Sequence, residues 1–277
     1  MKKKFGQNFL INQTVVKRII EASNINITDD ILEIGPGDGV LTKEIIKKKP
    51  NTFIAVEIDR SLMSTLQVLF NKKNNNYELI LADALKFDES SKFSNNFKII
   101  SNLPYNISLP LLIKWIDQLK KIPFANKMIL MFQKEVAERI LAKKDTKKYG
   151  RISILCSSFY HIKKIIDVDK KDFFPIPKVN STVLSFDLLK KSKISIDNLE
   201  FLKKISFKLF NNRRKKLKKK IQSLFSDEII KFNRLDELYD LRAENLTVDI
   251  FCKLALLLKK TKTLNIQVFY LLNLIYF

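Results

Sequence analysis

Short apolar runs alternate with amphipathic segments along the first two thirds of the chain. Apolar runs of this length are typical of buried strands, and we predict five strands at Ile31–Ile34, Thr52–Val56, Tyr77–Leu81, Lys98–Ser101 and Lys127–Phe132. Apolar residues at helical spacing predict helices at Gln13–Ser23, with Asn12 as N-cap, and at Val40–Lys48, Ser61–Phe70 and Leu109–Leu119. Strands that alternate with helices indicate an α/β fold whose parallel sheet is covered on both faces.

Two later apolar stretches, Ser153–Phe159 and Ser181–Leu188, are predicted to add strands at an antiparallel edge. The pattern changes near Lys190, after which the spacing predicts helices at Asn198–Phe210, Lys215–Leu224, Leu235–Leu241 and Val248–Leu258. We therefore divide the chain into a first domain at 1–189, a small all-helical domain at 190–262 and an apolar extension at 263–277. The extension is shorter than the roughly 20 residues that a membrane span needs, so we expect no membrane association.

The chain is strongly basic, with 51 Lys and Arg against 29 Asp and Glu and a formal net charge of +22. Such an excess points to an anionic partner, with nucleic acid ahead of a membrane surface. An AT-rich genome produces the same over-use of Lys, Asn and Ile without selection for binding. The placement of the cations is therefore more informative than their sum.

The scarcity of histidine and cysteine excludes several classes of site. His161 is the single histidine, which excludes triads built on histidine and His-rich metal centres. Cys156 and Cys252 lie far apart in apolar runs, which argues against a disulfide scaffold and a thiolate zinc site. Met1–Lys4 is not followed by the apolar run of a signal peptide. We expect a cytoplasmic protein with no metal.

Glycines and acids follow three successive predicted strands. The first strand contains Glu33, ends at Ile34 and runs into a GxGxG turn that begins at Gly35, while Glu57 and Asp83 stand at the ends of the next two. Glycines let a ligand approach the backbone closely, and a carboxylate in this position can accept the hydroxyls of a ribose. A single glycine turn is equally well explained as a tight connection. Ligands of parallel sheets bind at the carboxyl ends of strands, and three such sites together favour a nucleoside-like ligand.

The fourth strand runs into Asn102-Leu103-Pro104-Tyr105, which combines a planar amide, a rigid turn and an aromatic face. Asparagine offers an acceptor and two donors in one plane, and Pro104 restricts Leu103 to an extended conformation. These groups suit a flat heterocycle that bears an amino group. The alternative is a strand that ends in an ordinary proline turn.

Together these motifs resemble those of class I S-adenosylmethionine-dependent methyltransferases that act on an adenine amino group. Further blocks resemble the ribosomal RNA adenine dimethyltransferase family and follow in family order, at Phe5–Leu10, Gln133–Arg139, Tyr149–Ser153, Phe173–Ser181, Arg213–Leu217 and Leu241–Leu246. The resemblance extends from Phe5 to about Lys259 and implies a Rossmann-like catalytic sheet followed by a helical domain.

The resemblance also implies a role for individual residues. It places S-adenosylmethionine contacts on Asn8, Leu10, Gly35, Glu57, Asp83 and Asn102. It places the target adenine on Asn102, Leu103, Pro104 and Tyr105, with Phe173 as a second stacking aromatic. For Phe174 we prefer ordinary core packing to a functional role. The family often has histidine at the position of Asn8, and a polar side chain is retained here.

The longest basic run, Lys203–Lys220, contains no acid. Such runs usually form a solvated helix face, but in a domain beside a catalytic domain this one is predicted to follow RNA phosphates. The RNA-binding residues are predicted to be Arg213, Arg214, Lys215, Lys216, Lys218, Lys219 and Lys220, with a smaller contribution from Lys2–Lys4.

The function implied is dimethylation of N6 on two adjacent adenosines in the loop of the 3′-terminal hairpin of 16S rRNA. The expected substrate is an immature small ribosomal subunit, and the enzyme is expected to be a monomer. One alternative is a 23S rRNA adenine methyltransferase that confers antibiotic resistance. Another is a non-catalytic assembly factor with a methyltransferase fold. The intact Glu57 and Asn102–Tyr105 argue against the second alternative.

Overall fold

The structure of the protein, a computed structural model, describes residues 7–70, 76–121 and 124–275, with side chains up to Thr261. Lys2–Lys4, Phe5 and Gly6 of the predicted motifs lie outside the described residues, as do the last two residues of the apolar extension. The chain divides into two compact units, Met1–Glu138 with Tyr160–Leu189 and Arg139–Phe159 with Lys190–Phe277.

The first unit is built around a sheet with helices between its strands. Strands β1 to β9 span Phe9–Leu10, Asp30–Ile34, Thr52–Glu57, Tyr77–Leu81, Phe97–Ser101, Ala125–Gln133, Tyr160–Val168, Phe173–Phe174 and Ser181–Leu188. Helices α1 to α4 span Gln13–Ser23, Val40–Lys47, Arg60–Gln67 and Tyr105–Gln118. A further helix, α5, spans Lys134–Leu141 and crosses the boundary between the units.

Seven of these strands form one sheet in the order β4-β3-β2-β5-β6-β9-β7. The pairs from β4 to β6 are parallel, whereas β9 pairs antiparallel with both β6 and β7. β2 and β5 lie side by side at the centre, and the chain continues from β2 toward one edge and from β5 toward the other. A crevice at the carboxyl ends of the strands forms where the strand order reverses in this way, and ligands bind there.

The five predicted parallel strands and the four predicted helices of this unit are confirmed to within a few residues. Asn12 is the N-cap of α1, because its side-chain oxygen accepts hydrogen bonds from the backbone N–H groups of Thr14 and Val15. The predicted strand Ser181–Leu188 is also confirmed, as β9. The edge strand β7 was not predicted, since its residues are mostly part-exposed and a register shift near Ile166 disturbs its alternation.

The second unit is helical. Helices α6 to α10 span Arg151–Phe159, Leu199–Phe210, Lys218–Gln222, Asp227–Phe232 and Val248–Ile275. Leu235–Leu238 is a 3₁₀ turn within the predicted helix Leu235–Leu241. α9 was not predicted, and the backbone of α10 continues through 264–275, where the sequence suggested a separate extension.

The prediction of a strand at Ser153–Phe159 is wrong, because these residues lie in α6. The serine hydroxyls in this stretch can donate to backbone carbonyls of the preceding helical turn. Ser158 Oγ, for example, donates to the carbonyl of Ile154, four residues earlier, at 2.7 Å. The helix packs against α7 and α10 within the second unit. The sequence division places 139–159 in the first domain, whereas the structure places it in the second unit.

Among the described residues, no helix combines the length and the apolar character that crossing a membrane requires.

A buried acid, Glu89, connects the segment after β4 to α4 in the first unit. Its carboxylate is 1% exposed and accepts from Lys114 Nζ and Trp115 Nε1, both at 2.9 Å, and from Gln118 Nε2 at 2.7 Å. Lys114 also donates to the carbonyls of Ala84 and Phe87. The segment that follows Asp83 is therefore held on the helix that begins at Tyr105.

Replacing Glu89 by Ala is expected to lower the free energy of unfolding by about 3–5 kcal/mol, because the buried Trp115 N–H would lose its acceptor and Lys114, 20% exposed, would lose its counter-ion. Glu78→Ala is the matched control, since its ion pair with Lys92 is 34–49% exposed and should contribute no more than about 1 kcal/mol. Urea unfolding measures both. Equal losses in the two variants would contradict the role assigned to Glu89.

Candidate functional site

A cleft opens at the carboxyl ends of the central strands, as the strand order requires. It encloses about 830 Å³, including space open to solvent. The residues that line it come from the ends of four strands and from the N-terminal segment, and they include Asn8, Leu10, Gly35, Glu57, Asp83, Asn102, Leu103, Pro104 and Tyr105. The structure therefore brings together nine of the ten residues predicted to contact cofactor or target base.

The glycine turn between β2 and α2 forms one wall of the cleft. Gly37 has a φ of +61°, and a Cβ there would lie 3.0 Å from the Phe9 ring. A side chain at this position would therefore meet both an unfavourable backbone conformation and the aromatic ring of the N-terminal segment. Glycine at position 37 therefore lets the backbone of the turn lie close to the Phe9 ring.

Glu57 fixes the turn to the end of β3. Its Oε1 accepts from the backbone N–H groups of Ile58 and Asp59, each at 2.9 Å, and its Oε2 accepts from Gly37 N at 3.2 Å. Burial nevertheless raises the pKa of Glu57, because desolvation outweighs these hydrogen bonds. A carboxylate held in one orientation retains lone pairs that can accept from ligand hydroxyls.

Asp83 occupies the corresponding place after β4. Its Oδ1 accepts from Leu85 N at 2.9 Å, which closes the turn at the strand end. The side chain thus has a defined orientation at the edge of the cleft, beside the segment anchored by Glu89.

The Asn102–Tyr105 stretch lies where β5 passes into α4. Asn102 Nδ2 donates to the carbonyl of Asn8 at 3.1 Å, so the amide oxygen is the atom that faces further donors. Tyr105 OH and Ser181 Oγ are 2.6 Å apart, and burial raises the pKa of this phenol. The planar acceptor and the aromatic ring predicted from sequence are therefore held in place by partners distant in the chain.

Phe173 is the exception among the predicted site residues, because it does not line the cleft, and the prediction that Phe174 is a core residue is wrong. Phe173 is 1% exposed, belongs to the hydrophobic core and pairs with Leu10 across β1 and β8, whereas Phe174 is 65% exposed. Successive residues of a strand point to opposite faces, so only one of the two rings can enter the core. Phe174 stands opposite Phe9, a residue that lines the cleft.

Glu33 is a functional candidate that the sequence interpretation did not single out, although it begins the glycine motif. It is 1% exposed and accepts from Thr42 Oγ1 at 2.7 Å. Burial raises its pKa to about 8, and the neighbouring Glu57 and Asp38 add to the shift. Its position at a strand end, immediately before Ile34 and Gly35, was the available signal.

The cleft lining is acidic. Glu33, Asp38, Glu57 and Asp83 line it, and no Lys, Arg or His does so among the described residues. This is notable in a chain with a net charge of +22. Glu33 and Glu57 are buried, Asp83 is half-buried and Asp38 is exposed. An acidic lining of this kind favours a cationic ligand and disfavours one that carries phosphates.

The predicted RNA-binding run lies in the second unit and is not uniformly free. Lys216 Nζ is 2.7 Å from Asp240 Oδ1, and Lys220 Nζ donates to the carbonyl of Leu209 at 2.6 Å. Lys218 Nζ lies 5.7 Å from the centre of the Tyr239 ring. Arg213 is bound to Glu244 at 2.7 Å. Arg214, Lys215 and Lys219 are exposed.

Within the described residues, no group of three or more His, Cys, Asp or Glu side chains is arranged to hold a metal ion.

Replacing Phe173 by Ala is expected to cost about 3–5 kcal/mol of stability, because it removes a fully buried ring. Phe174→Ala is the matched control and should change stability by less than about 1 kcal/mol, since the ring is mostly in solvent. Denaturant unfolding compares the two. A larger loss for Phe174→Ala would contradict the assignment of the core ring.

The raised pKa of Glu33 predicts a pH dependence of stability. Between the unfolded value near 4.5 and about 8, the folded chain retains a proton that the unfolded chain releases, so stability falls as pH rises through this window. Glu33→Gln keeps an acceptor for Thr42 and should remove this part of the slope. Unfolding free energies measured from pH 5 to 9 test it, and an unchanged slope would contradict a buried protonated Glu33.

Comparisons with known proteins agree with this geometry. The family model described as ribosomal RNA adenine dimethylase matches residues 1–260. The chain is 40% identical over 254 residues to ribosomal RNA small subunit methyltransferase A of Wolbachia pipientis subsp. Culex pipiens, covering 92% of this chain and 95% of that protein. It is 38% identical to the protein of the same name from Pelagibacter ubique, covering 91% and 95%.

Two solved structures share the architecture. A dimethyladenosine transferase from Plasmodium falciparum matches with a TM-score of 0.76 and 27% identity over 91% of this chain and 98% of that one. The 23S rRNA methyltransferase ErmE matches with a TM-score of 0.66 and 21% identity over 89% and 100%, which shows a common fold. The resemblance found in the motifs is confirmed, and the chain belongs to the ribosomal RNA adenine dimethylase family.

Proposed function

We propose that the chain dimethylates N6 of two adjacent adenosines in the loop of the 3′-terminal hairpin of 16S rRNA, with S-adenosylmethionine as methyl donor. Its substrate is an immature small ribosomal subunit, and it acts as a cytoplasmic monomer without a metal. The observation that carries the proposal is the cleft itself, in which Asn102–Tyr105 lies beside Gly35, Glu57 and Asp83. The names of the relatives support the small-subunit substrate.

The residues of the cleft fit S-adenosylmethionine. This cofactor carries a sulfonium and an ammonium, which suit a lining that has four acidic side chains and, among the described residues, no Lys, Arg or His. Glu57 has the orientation to accept from ribose hydroxyls, and Asp83 to accept from an adenine amino group. Asp38 contributes negative charge beside the glycine turn, whereas Glu33, whose pKa burial raises to about 8, is mostly protonated at neutral pH. A dinucleotide with its pyrophosphate would be repelled by the same lining.

Bound S-adenosylmethionine supplies a methyl group on a sulfonium, and the departing thioether is neutral and needs no acid. The residues of the chain act on the other reactant. The Asn102 amide oxygen and the Leu103 carbonyl accept from the target amino group, which favours a pyramidal and more nucleophilic nitrogen. Catalysis then rests on positioning and electrostatics rather than on a base, and the extra proton leaves the methylated nitrogen after the transfer. No histidine lies among the residues that line the cleft.

The target adenine must leave its stack to reach the cleft, and an adenine in a single-stranded loop does so at least cost. Tyr105 offers an aromatic face whose orientation is set by the bond to Ser181. Such a stack contributes about 1–3 kcal/mol. The proposal therefore favours loop adenines over adenines paired in a helix.

Replacing Asn102 by Ala is expected to reduce methyl transfer at least about 100-fold, because the amino group loses its planar acceptor. RNA binding should persist. Asn106→Ala is the matched control, since Asn106 is exposed four residues further on and does not line the cleft. Mass spectrometry of adenosines from immature small subunits measures transfer. Retained transfer in Asn102→Ala would contradict the role of Asn102.

The same assay separates the substrate alternatives. Small and large subunits from an unmethylated strain are incubated with the wild-type chain and S-adenosylmethionine. We expect dimethyladenosine in 16S rRNA alone. Methylation of the large subunit alone would overturn the proposal in favour of a 23S rRNA methyltransferase, and methylation of neither would indicate a non-catalytic factor.

A further inference from the structure

The loop between α5 and α6, at 142–150, is a second basic segment that the charge run at Lys203–Lys220 does not include. It carries exposed lysines at 143, 144, 147 and 148, and Asp145 is its only acid. The loop and the run are far apart in sequence but belong to the same unit.

Arg213 joins the loop to the basic run. Its Nε donates to Glu244 Oε2 at 2.7 Å, and its Nη2 donates to the carbonyl of Thr146 at 3.1 Å. The side chain is 35% exposed, and its guanidinium lies 5.9 Å from the centre of the Phe210 ring. Two N–H donors of the Arg213 guanidinium that could bind a phosphate are thus already bonded to the protein itself.

The loop has a defined conformation around Asp145. Asp145 adopts a φ of +67°, and its N–H donates to the carbonyl of Glu244 at 2.8 Å. Its Oδ1 accepts from Asn245 Nδ2 at 2.9 Å. Thr146 Oγ1 donates to the carbonyl of Lys143 at 2.7 Å and closes the loop on itself. When lysines on such a loop bind a ligand, the loop loses less conformational entropy than a flexible loop would.

These contacts join the loop that carries the lysines to Arg213, the residue that directly precedes Arg214 and Lys215 in the chain. All of these cations are exposed, whereas the nearby carboxylates already have partners: Glu244 binds Arg213, Asp240 binds Lys216 and Asp145 lies 3.3 Å from Lys144. The surface therefore has an excess of positive charge made from two separate segments.

We propose that Lys143 and Lys147 form, with Arg214 and Lys215, a single surface that binds the phosphates of an RNA backbone, and that Arg213 is a positioning residue which holds the two segments together. The inference rests on the proposed function in that the anionic partner is RNA. The loop lysines therefore contact phosphate, although the sequence did not indicate them, whereas Arg213, predicted to bind RNA, does not contact phosphate itself. Lys and Arg side chains that neutralise phosphates release the counterions of the RNA, so the affinity falls as the salt concentration rises.

The experiment measures binding of 16S rRNA in immature small subunits by the full chain at several KCl concentrations, with no methyl donor present. K143Q/K147Q should weaken binding several-fold at low salt. It should also make the negative slope of log K against log salt shallower by about 1.5, since each lost phosphate contact removes about 0.7–0.9 from its magnitude. K190Q/K191Q is the matched control, which removes the same charge at exposed lysines of the same unit.

The control should leave the slope within about 0.3 of wild type, because the proposed surface is intact. Equal slopes for the two double variants would overturn the inference and leave only a diffuse basic charge. The substitutions are at exposed side chains, so unfolding of the variants does not obscure the result.

Arg213→Lys tests the positioning role, because it keeps the charge and loses the forked contacts to Glu244 and Thr146. We expect faster hydrogen exchange at the amide of Asp145 and weaker binding. Added to K143Q/K147Q, it should weaken binding less than the product of the separate effects. Full additivity with unchanged exchange would show that Arg213 contacts phosphate itself and would overturn its assignment.

Binding and methyl transfer are measured separately, so the two proposals can fail separately. RNA binding with the expected slope change but no dimethyladenosine would refute the proposed function and leave this surface standing. Normal methylation with equal slopes for the two double variants would refute this surface alone.

Discussion

The parallel pairing of β2 with β5 at the centre of the sheet is the constraint on which the site depends. The chain proceeds from these two strands toward opposite edges, so the crevice at their carboxyl ends stays open. Every strand end that borders this crevice contributes a functional candidate. Because a parallel strand is buried on both faces, its end is also the first place where a polar side chain can reach a ligand.

The polar groups at these ends are held by neighbours distant in the chain. Glu57 is bonded to the backbone of the glycine turn, Asn102 to the carbonyl of Asn8, and Tyr105 to Ser181. Glu89 holds the segment after Asp83 on α4. A site arranged in this way is formed before the ligand arrives, which is what catalysis by positioning requires.

Acidic and basic side chains are concentrated in different parts of the molecule. The cleft is lined by acidic side chains, and burial raises the pKa of Glu33, Asp38 and Glu57, because desolvation disfavours their charged forms. A cationic ligand favours those charged forms. The cations lie elsewhere, and in the helical unit many have partners within the protein. The basic run is therefore partly structural, as Arg213 and Lys220 show.

The sequence alone determined where the parallel strands and their helices follow one another along the chain, the glycine turn, the strand-end acids and the Asn102–Tyr105 motif, because each depends on local periodicity or on a short run of residues. The sequence failed where local patterns are ambiguous. The short apolar, serine-containing segment of α6 has the pattern of a strand, and only the fold shows that it is a helix. The sequence also does not show which of the neighbours Phe173 and Phe174 is buried, because that depends on the pairing of β8 with β1. Only the tertiary structure decided that Phe173 is core, that Glu33 is buried among acids and that Arg213 joins two basic segments. Burial and pairing depend on residues far away in the chain, and no local pattern contains them.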